Sequence, residues 1–299
     1  MVCSVKNTVI IIIYLYIIMI NTPKFNTGSL NVSGSMGYVL LEKNGQYILL
    51  FSDIHDGVNY CSNVDSEFIS KVLLDYASNN IILLEEAVKE PELNLKALWP
   101  NAKHTQQLKD LSMKYQKDIK SIDIRPILIP FSWELITTNK KFKQIPFRAY
   151  ISLLGDFFNK RGKFYEKYFK KVICDDEYLN KHHTVLYELY MELYNHEYAT
   201  NPLIFFYNND KETLYNLNYL LDLVMEYYMY IYIVCFKNER IVIHTGMAHS
   251  QRMIEFLTKY YNYKVIQEDG INYIDKIGNG TPNACIKLPQ NVKGIFDKN

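Results

Sequence analysis

Four apolar runs in this chain each end in ionisable residues of the kinds that move protons or hold metal ions. The run YILLFSD leads into Asp53, His55 and Asp56, with Gly57 just beyond, and IILLEE ends in Glu85 and Glu86. The run IKSIDIR ends in Asp123 and Arg125, and IVIHTGMAH carries His244, Gly246 and His249. Burying carboxylates and imidazoles at the ends of apolar segments is costly unless they pair, bind a metal or face a wet cleft. Taken singly, each has a plain structural explanation. Asp53 or Asp56 can serve a turn, Glu86 can cap a helix, and Arg125 can pair with Asp123 on the surface. The same ending on four runs points instead to one shared site.

Two chemistries fit the set. His55, His249 and Glu85 or Glu86 could hold a divalent ion such as Mn, Zn or Co, whose bound water loses a proton near neutral pH. Alternatively, a histidine oriented by a carboxylate could activate water directly while Arg125 stabilises the developing negative charge. In either case Asp53 would accept the second ring proton of His55. Both routes end in hydrolysis, with His55, Glu85, Glu86, Asp53 and Arg125 as catalytic candidates and a small molecule or peptide as substrate. Asp56, Asp123, His244 and Gly246 are candidates for supporting or substrate contacts, although His244 could instead face the core from within a strand. Adjacent strand residues point oppositely, so only one of Glu85 and Glu86 should face the site. Glycine at 57 and 246 lets the backbone turn sharply and approach a ligand. His104, His182, His183 and His196 sit in polar, helical settings and read as solvated.

Such convergence needs the four runs to be neighbouring parallel strands. In an open α/β sheet the carboxyl ends of parallel strands share one edge, and ligands bind in the crevice outside it. The local signals agree. GYVLLEKNGQYILLFSD is two apolar runs split by Asn44-Gly45, the strongest short hairpin signal. DSEFISKVLLDYASN has helical spacing at Phe68, Ile69, Val72, Leu73 and Tyr76. From 143 to 236 the chain reads as helices rich in Tyr, Phe and Leu, a helical insertion. Within it, MEYYMYIYIVCF suits a buried helix better than a membrane span. The last run, its helix and the following YKVIQ form a βαβ-like unit. The expected fold is therefore α/β: an opening β-hairpin, a mostly parallel central sheet flanked by helices, and the insertion before the last strands. One domain spans 36–280, and 281–299 reads as a turn-rich tail.

Composition narrows the partners. With 48% hydrophobic residues in 299, the chain can bury a sizeable core. A formal net charge of +1 leaves no basic surplus for phosphates, which argues against nucleic acid. The 26 tyrosines accompany an Asn, Ile and Lys bias of the kind AT-rich genomes produce, as in large DNA viruses or some protists. Five scattered cysteines with no C-x-x-C pair read as free thiols in a reducing compartment. Residues 9–20 are apolar behind Lys6, a length that suits a signal-peptide core and falls short of a bilayer span. Residues 1–22 are thus a leader that directs secretion or membrane anchoring, or an extension of the reading frame ahead of a cytosolic start at Met19.

The order LLFSDIHDG, IILLEEA and IVIHTGMAHSQRMIEFL resembles the TraB/Tiki, ChaN and erythromycin-esterase superfamily. In that superfamily a histidine ends the first core strand, a glutamate ends the next, and a late G-x-x-H opens a helix. The resemblance covers roughly residues 36–268 and maps onto His55, Glu85 or Glu86, and Gly246 with His249. It implies an α/β sheet with a helical insertion and a strand-end site whose members act as metal-dependent proteases, bind haem iron or hydrolyse esters. The chain departs from the Tiki branch in placing its first histidine in Asp-x-His-Asp-Gly. Asp-x-His after an apolar strand also resembles the opening motif of calcineurin-like metallophosphoesterases. However, the Gly-Asn-His and Gly-His-x-His motifs of that family are missing here. A catalytically silent binding or structural protein with the same fold is the third alternative.

Overall fold

Asn44 and Gly45 turn the chain with φ of 51° and 83°, the left-handed pair that a tight hairpin requires. They join β2 (Gly37–Lys43) to β3 (Gln46–Asp53) in antiparallel register from Gly37↔Ser52 to Lys43↔Gln46. The computed structural model describes residues 28–54, 57–62, 64–88, 102–236 and 240–297. The remaining strands there are β1 (Ser29–Ser33), β4 (Asn59–Tyr60), β5 (Ser66–Phe68), β6 (Ile81–Ala87), β7 (Ile119–Asp123), β8 (Arg240–Gly246), β9 (Lys264–Gly270) and β10 (Asn283–Pro289).

The central sheet has the order β7-β6-β8-β3-β2-β9, and β7, β6, β8 and β3 run parallel. These are the four strands that end in the ionisable residues, so the fold is α/β with the four endings along one edge. Helices flank the sheet: α1 (Ile69–Tyr76), α2 (Lys103–Lys114), α3 (Arg125–Leu128), α4 (Trp133–Thr138), α5 (Phe147–Ile151), α6 (Gly155–Phe158), α7 (Gly162–Tyr168), α8 (Glu177–Tyr194), α9 (Leu203–Asn209), α10 (Lys211–Phe236), α11 (Met247–Tyr261) and α12 (Gln290–Phe296). The helical layer starts at Arg125, earlier than the 143 expected from the sequence. Pro126, which lacks a backbone N–H, is tolerated in the first turn of α3 and there ends the strand rather than the helix.

Alternation along the strands divides the core in two. Val39, Leu41, Ile48, Leu50, Leu83, Ile241 and Ile243 meet the helices of the insertion and α11. Tyr38, Leu40, Leu49, Phe51, Ile82, Leu84 and Val242 meet α1, α2, β10 and α12. The period of two thus assigns each strand residue a face. The 26-residue α10 is long and apolar enough to cross a bilayer by length alone, but 72% of its most apolar window is buried inside the fold.

Two expectations for the chain ends are corrected. The polar approach before residue 36 contains β1, and the segment read as a turn-rich tail forms β10 and α12. These belong to a second sheet, β4-β10-β1-β5, in which Ser29↔Pro289 begins an antiparallel pairing. Ala284, Ile286, Leu288, Val292 and Phe296 are buried there, so the folded unit extends past 280. The cysteines are also corrected. Cys61 pairs with Cys285 and Cys174 with Cys235 as disulfides, across sequence separations of 224 and 61 that no local spacing rule would connect.

Candidate functional site

Leu83 faces the helical layer and Leu84 the opposite side, and β6 then shifts register between Leu84 and Ala87, at its two glutamates. A cleft of about 670 Å³ opens at the strand ends, with Asp53, Glu85, Arg125, Gly246 and His249 among its lining residues. Glu86 is buried but does not line it. His244 sits inside β8, in register with Phe51 and Leu84, so it is buried in the sheet's interior away from the cleft. His55 and Asp56 lie outside the described residues.

Glu85 is the hub. Its Oε2 accepts from the Thr245 hydroxyl at 2.6 Å and from the Gly246 N–H at 2.6 Å, while Oε1 accepts from Arg125 Nη2 at 3.0 Å. These donors surround a side chain only 3% exposed. Arg125 in turn grips Asp123 with Nε and Nη2 and Asp222 with Nη1. Burial alone would lower the Arg125 pKa, but Asp123 and Glu85 outweigh it and drive the value upward. The guanidinium expected to stabilise an oxyanion is therefore the clasp between β6, β7 and α10. Asp123 acts through this clasp and is not itself on the cleft wall.

His249 is in the first turn of α11, which begins right after β8. Its Nδ1 lies 2.7 Å from Glu226 Oε1, and its Nε2 points toward Glu85 Oε1 at 3.4 Å. Arg252, one turn on along α11, donates through Nε to the same Glu226 oxygen at 2.7 Å. Burial pulls the His249 pKa down, but Glu85 and the Glu226 hydrogen bond outweigh it and leave the value raised. The imidazole thus stands between two carboxylates at the cleft wall, placed to give or take a proton.

Asp53 has a buried partner that the sequence did not suggest. Its Oδ2 accepts from His104 Nε2 at 2.9 Å, and the Tyr60 hydroxyl lies 3.0 Å from His104 Nδ1. His104, expected to be solvated, is fully buried, as is Asp53. Gly34, with φ of 93°, makes room for it, since a Cβ there would come within 2.8 Å of the His104 Cβ. His183 is also buried rather than solvated, and burial together with Lys160 lowers its pKa to about 4. His182 is partly buried and His196 pairs with Asp210.

Sequence reasoning missed Glu226 and His104, although each left a signal. Glu226 is the lone acid in LVMEYYMYIYIVCF, and a single carboxylate in an apolar helix needs a partner. His104 shares the i, i+4, i+7 stripe of α2 with Leu108 and Leu111, its buried face.

A catalytic metal typically takes three protein ligands around an open position. Glu85 is already met by three donors, Arg125 among them, and Asp53 Oδ2 lies against His104. Among the described residues no group of three His, Cys, Asp or Glu side chains is placed to hold an ion. His55, the first of the expected metal ligands, lies outside the described residues.

Comparison of the chain with protein-family models, with curated proteins and with solved structures returned no match.

Proposed function

We propose that this chain hydrolyses an ester or peptide bond, with His249 as the proton-transferring group. The observation that carries the reading is the placement of His249 on the cleft wall between Glu226 and Glu85. In the neutral imidazole, the Nδ1 proton rests on Glu226, and Nε2 takes a proton from a water molecule as that water attacks the acyl carbon. Glu226 and Glu85 stabilise the imidazolium, which then returns the proton to the leaving group. The first N–H groups of α11 have no intrahelical acceptor, and Met247 and Ala248 bring them to the cleft, where they suit a developing oxyanion. Glu226, with Arg252 behind it, is a positioning residue. The resemblance to the TraB/Tiki, ChaN and erythromycin-esterase superfamily implies the same activity class.

A binding protein with the same cleft is the second reading, favoured by the absorption of Glu85 and Arg125 into fold-holding contacts. Turnover of a panel of p-nitrophenyl esters and fluorogenic peptides separates the two. Hydrolysis that falls by about 10²-fold or more in His249→Gln supports the enzyme. No hydrolysis by the wild-type chain, with ligands still binding the cleft, supports the binding protein.

A further inference from the structure

The cleft carries a charge and a wall that select a ligand. Asp53, Glu85, Asp222 and Glu134 line it against the cationic or titratable Arg125 and His249. Arg125 is already matched by Asp123, Glu85 and Asp222, and His249 by Glu226 and Glu85, so an incoming anion must displace one of those carboxylates. Glu134 is different: it stands exposed at the cleft and pairs with no cation among the described residues. Next to it Trp133 forms part of the wall, with Phe131 at 5.4 Å and Tyr215 at 5.1 Å between ring centroids. The same aromatic group already seats an ammonium, since Lys211 Nζ lies 4.8 Å from the centroid of Tyr207, itself 6.2 Å from Trp133. Tyr207 does not line the cleft, whereas Trp133 does.

We propose that the cleft takes a substrate bearing an alkylammonium group, seated against Trp133 and Glu134 with its acyl carbon toward His249. An aromatic face beside a carboxylate attracts such a cation through the ring quadrupole and through charge. The acyl placement rests on the hydrolase reading, whereas the preference for a cation does not.

Calorimetric binding of three near-isosteric probes tests it: choline, uncharged 3,3-dimethylbutan-1-ol and anionic 3,3-dimethylbutyrate. Choline should bind at least about tenfold more tightly than the alcohol, a difference within reach of a cation–aromatic contact plus one charge pair. The butyrate should bind weakest. Glu134→Gln should reduce the preference and Glu134→Lys should reverse it, with unchanged circular dichroism and melting curves. Equal binding of choline and the alcohol, tightest binding of the butyrate, or no binding of choline would overturn the proposal. Cation preference without turnover counts against the hydrolase reading alone, and turnover without cation preference counts against this inference alone.

Discussion

His104 Nε2 lies 2.9 Å from Asp53 Oδ2 with both residues fully buried, so the end of β3 is pinned to α2 beneath the cleft floor. Removing one member of a buried charged or charge-assisted pair leaves the other without compensation. His104→Ala should therefore lower the unfolding free energy by about 3 kcal/mol in urea titrations. A change below about 0.5 kcal/mol, the scale of surface substitutions, would mean that Asp53 does not depend on the imidazole.

Glu85 and Glu86 are neighbours in sequence, but of the two only Glu85 lines the cleft. Glu85→Gln breaks a carboxylate held by Thr245, Gly246 and Arg125, and it should reduce turnover by about 10²-fold or more, the lower range for a group in the proton-transfer machinery. Glu86→Gln should stay within a few-fold of wild type in kcat/KM. Equal losses would contradict the assignment of Glu85 alone to the cleft.

Much of this arrangement was legible in the sequence. The Asn44-Gly45 turn, the short apolar runs of β3, β6 and β8 and the polar endings of four runs were enough to expect parallel strands delivering carboxylates and imidazoles to one edge. Of the two acids in β6, only Glu85 lines the cleft, a choice the sequence left open. What could not be read depends on contacts between distant segments. The pairing of β1 with β10 joins the two ends of the chain, and neither segment shows its partner locally. Glu226 matters because α10 crosses His249, and His104 because α2 packs under Asp53. These are facts of helix placement rather than of spacing.

The disulfides give a chemical test. Cys61–Cys285 and Cys174–Cys235 consume four of the five cysteines, leaving only Cys3, outside the described residues, to react. Thiol titration of the denatured, unreduced chain should therefore find no more than one reactive thiol per molecule. Reduction should lower stability by about 2–5 kcal/mol per bridge. Such bridges persist in oxidising compartments. Five reactive thiols would contradict both pairings.

Two histidines should mark the pH dependence of stability in separate windows. His183, lowered to about 4 by burial and Lys160, stays neutral in the fold while its unfolded counterpart protonates near 6.5, so stability falls as pH drops from about 6.5 toward 4. His183→Phe should flatten that loss in urea midpoints. His249 works in the opposite sense. Its raised value adds stability that is complete below about 6.5 and is lost as pH rises through the folded pKa. His249→Gln should remove the second window and leave the first.

The pH profile of kcat/KM tests the central claim that His249, held between Glu226 and Glu85, moves the proton. Because the neutral imidazole is the base, activity on the best ester should rise with pH through an inflection above the ordinary imidazole value of about 6.5. Glu226→Gln removes a carboxylate that raises that pKa, so the inflection should move to lower pH while turnover persists at a reduced rate. A profile without this inflection, or one that Glu226→Gln leaves in place, would contradict the account.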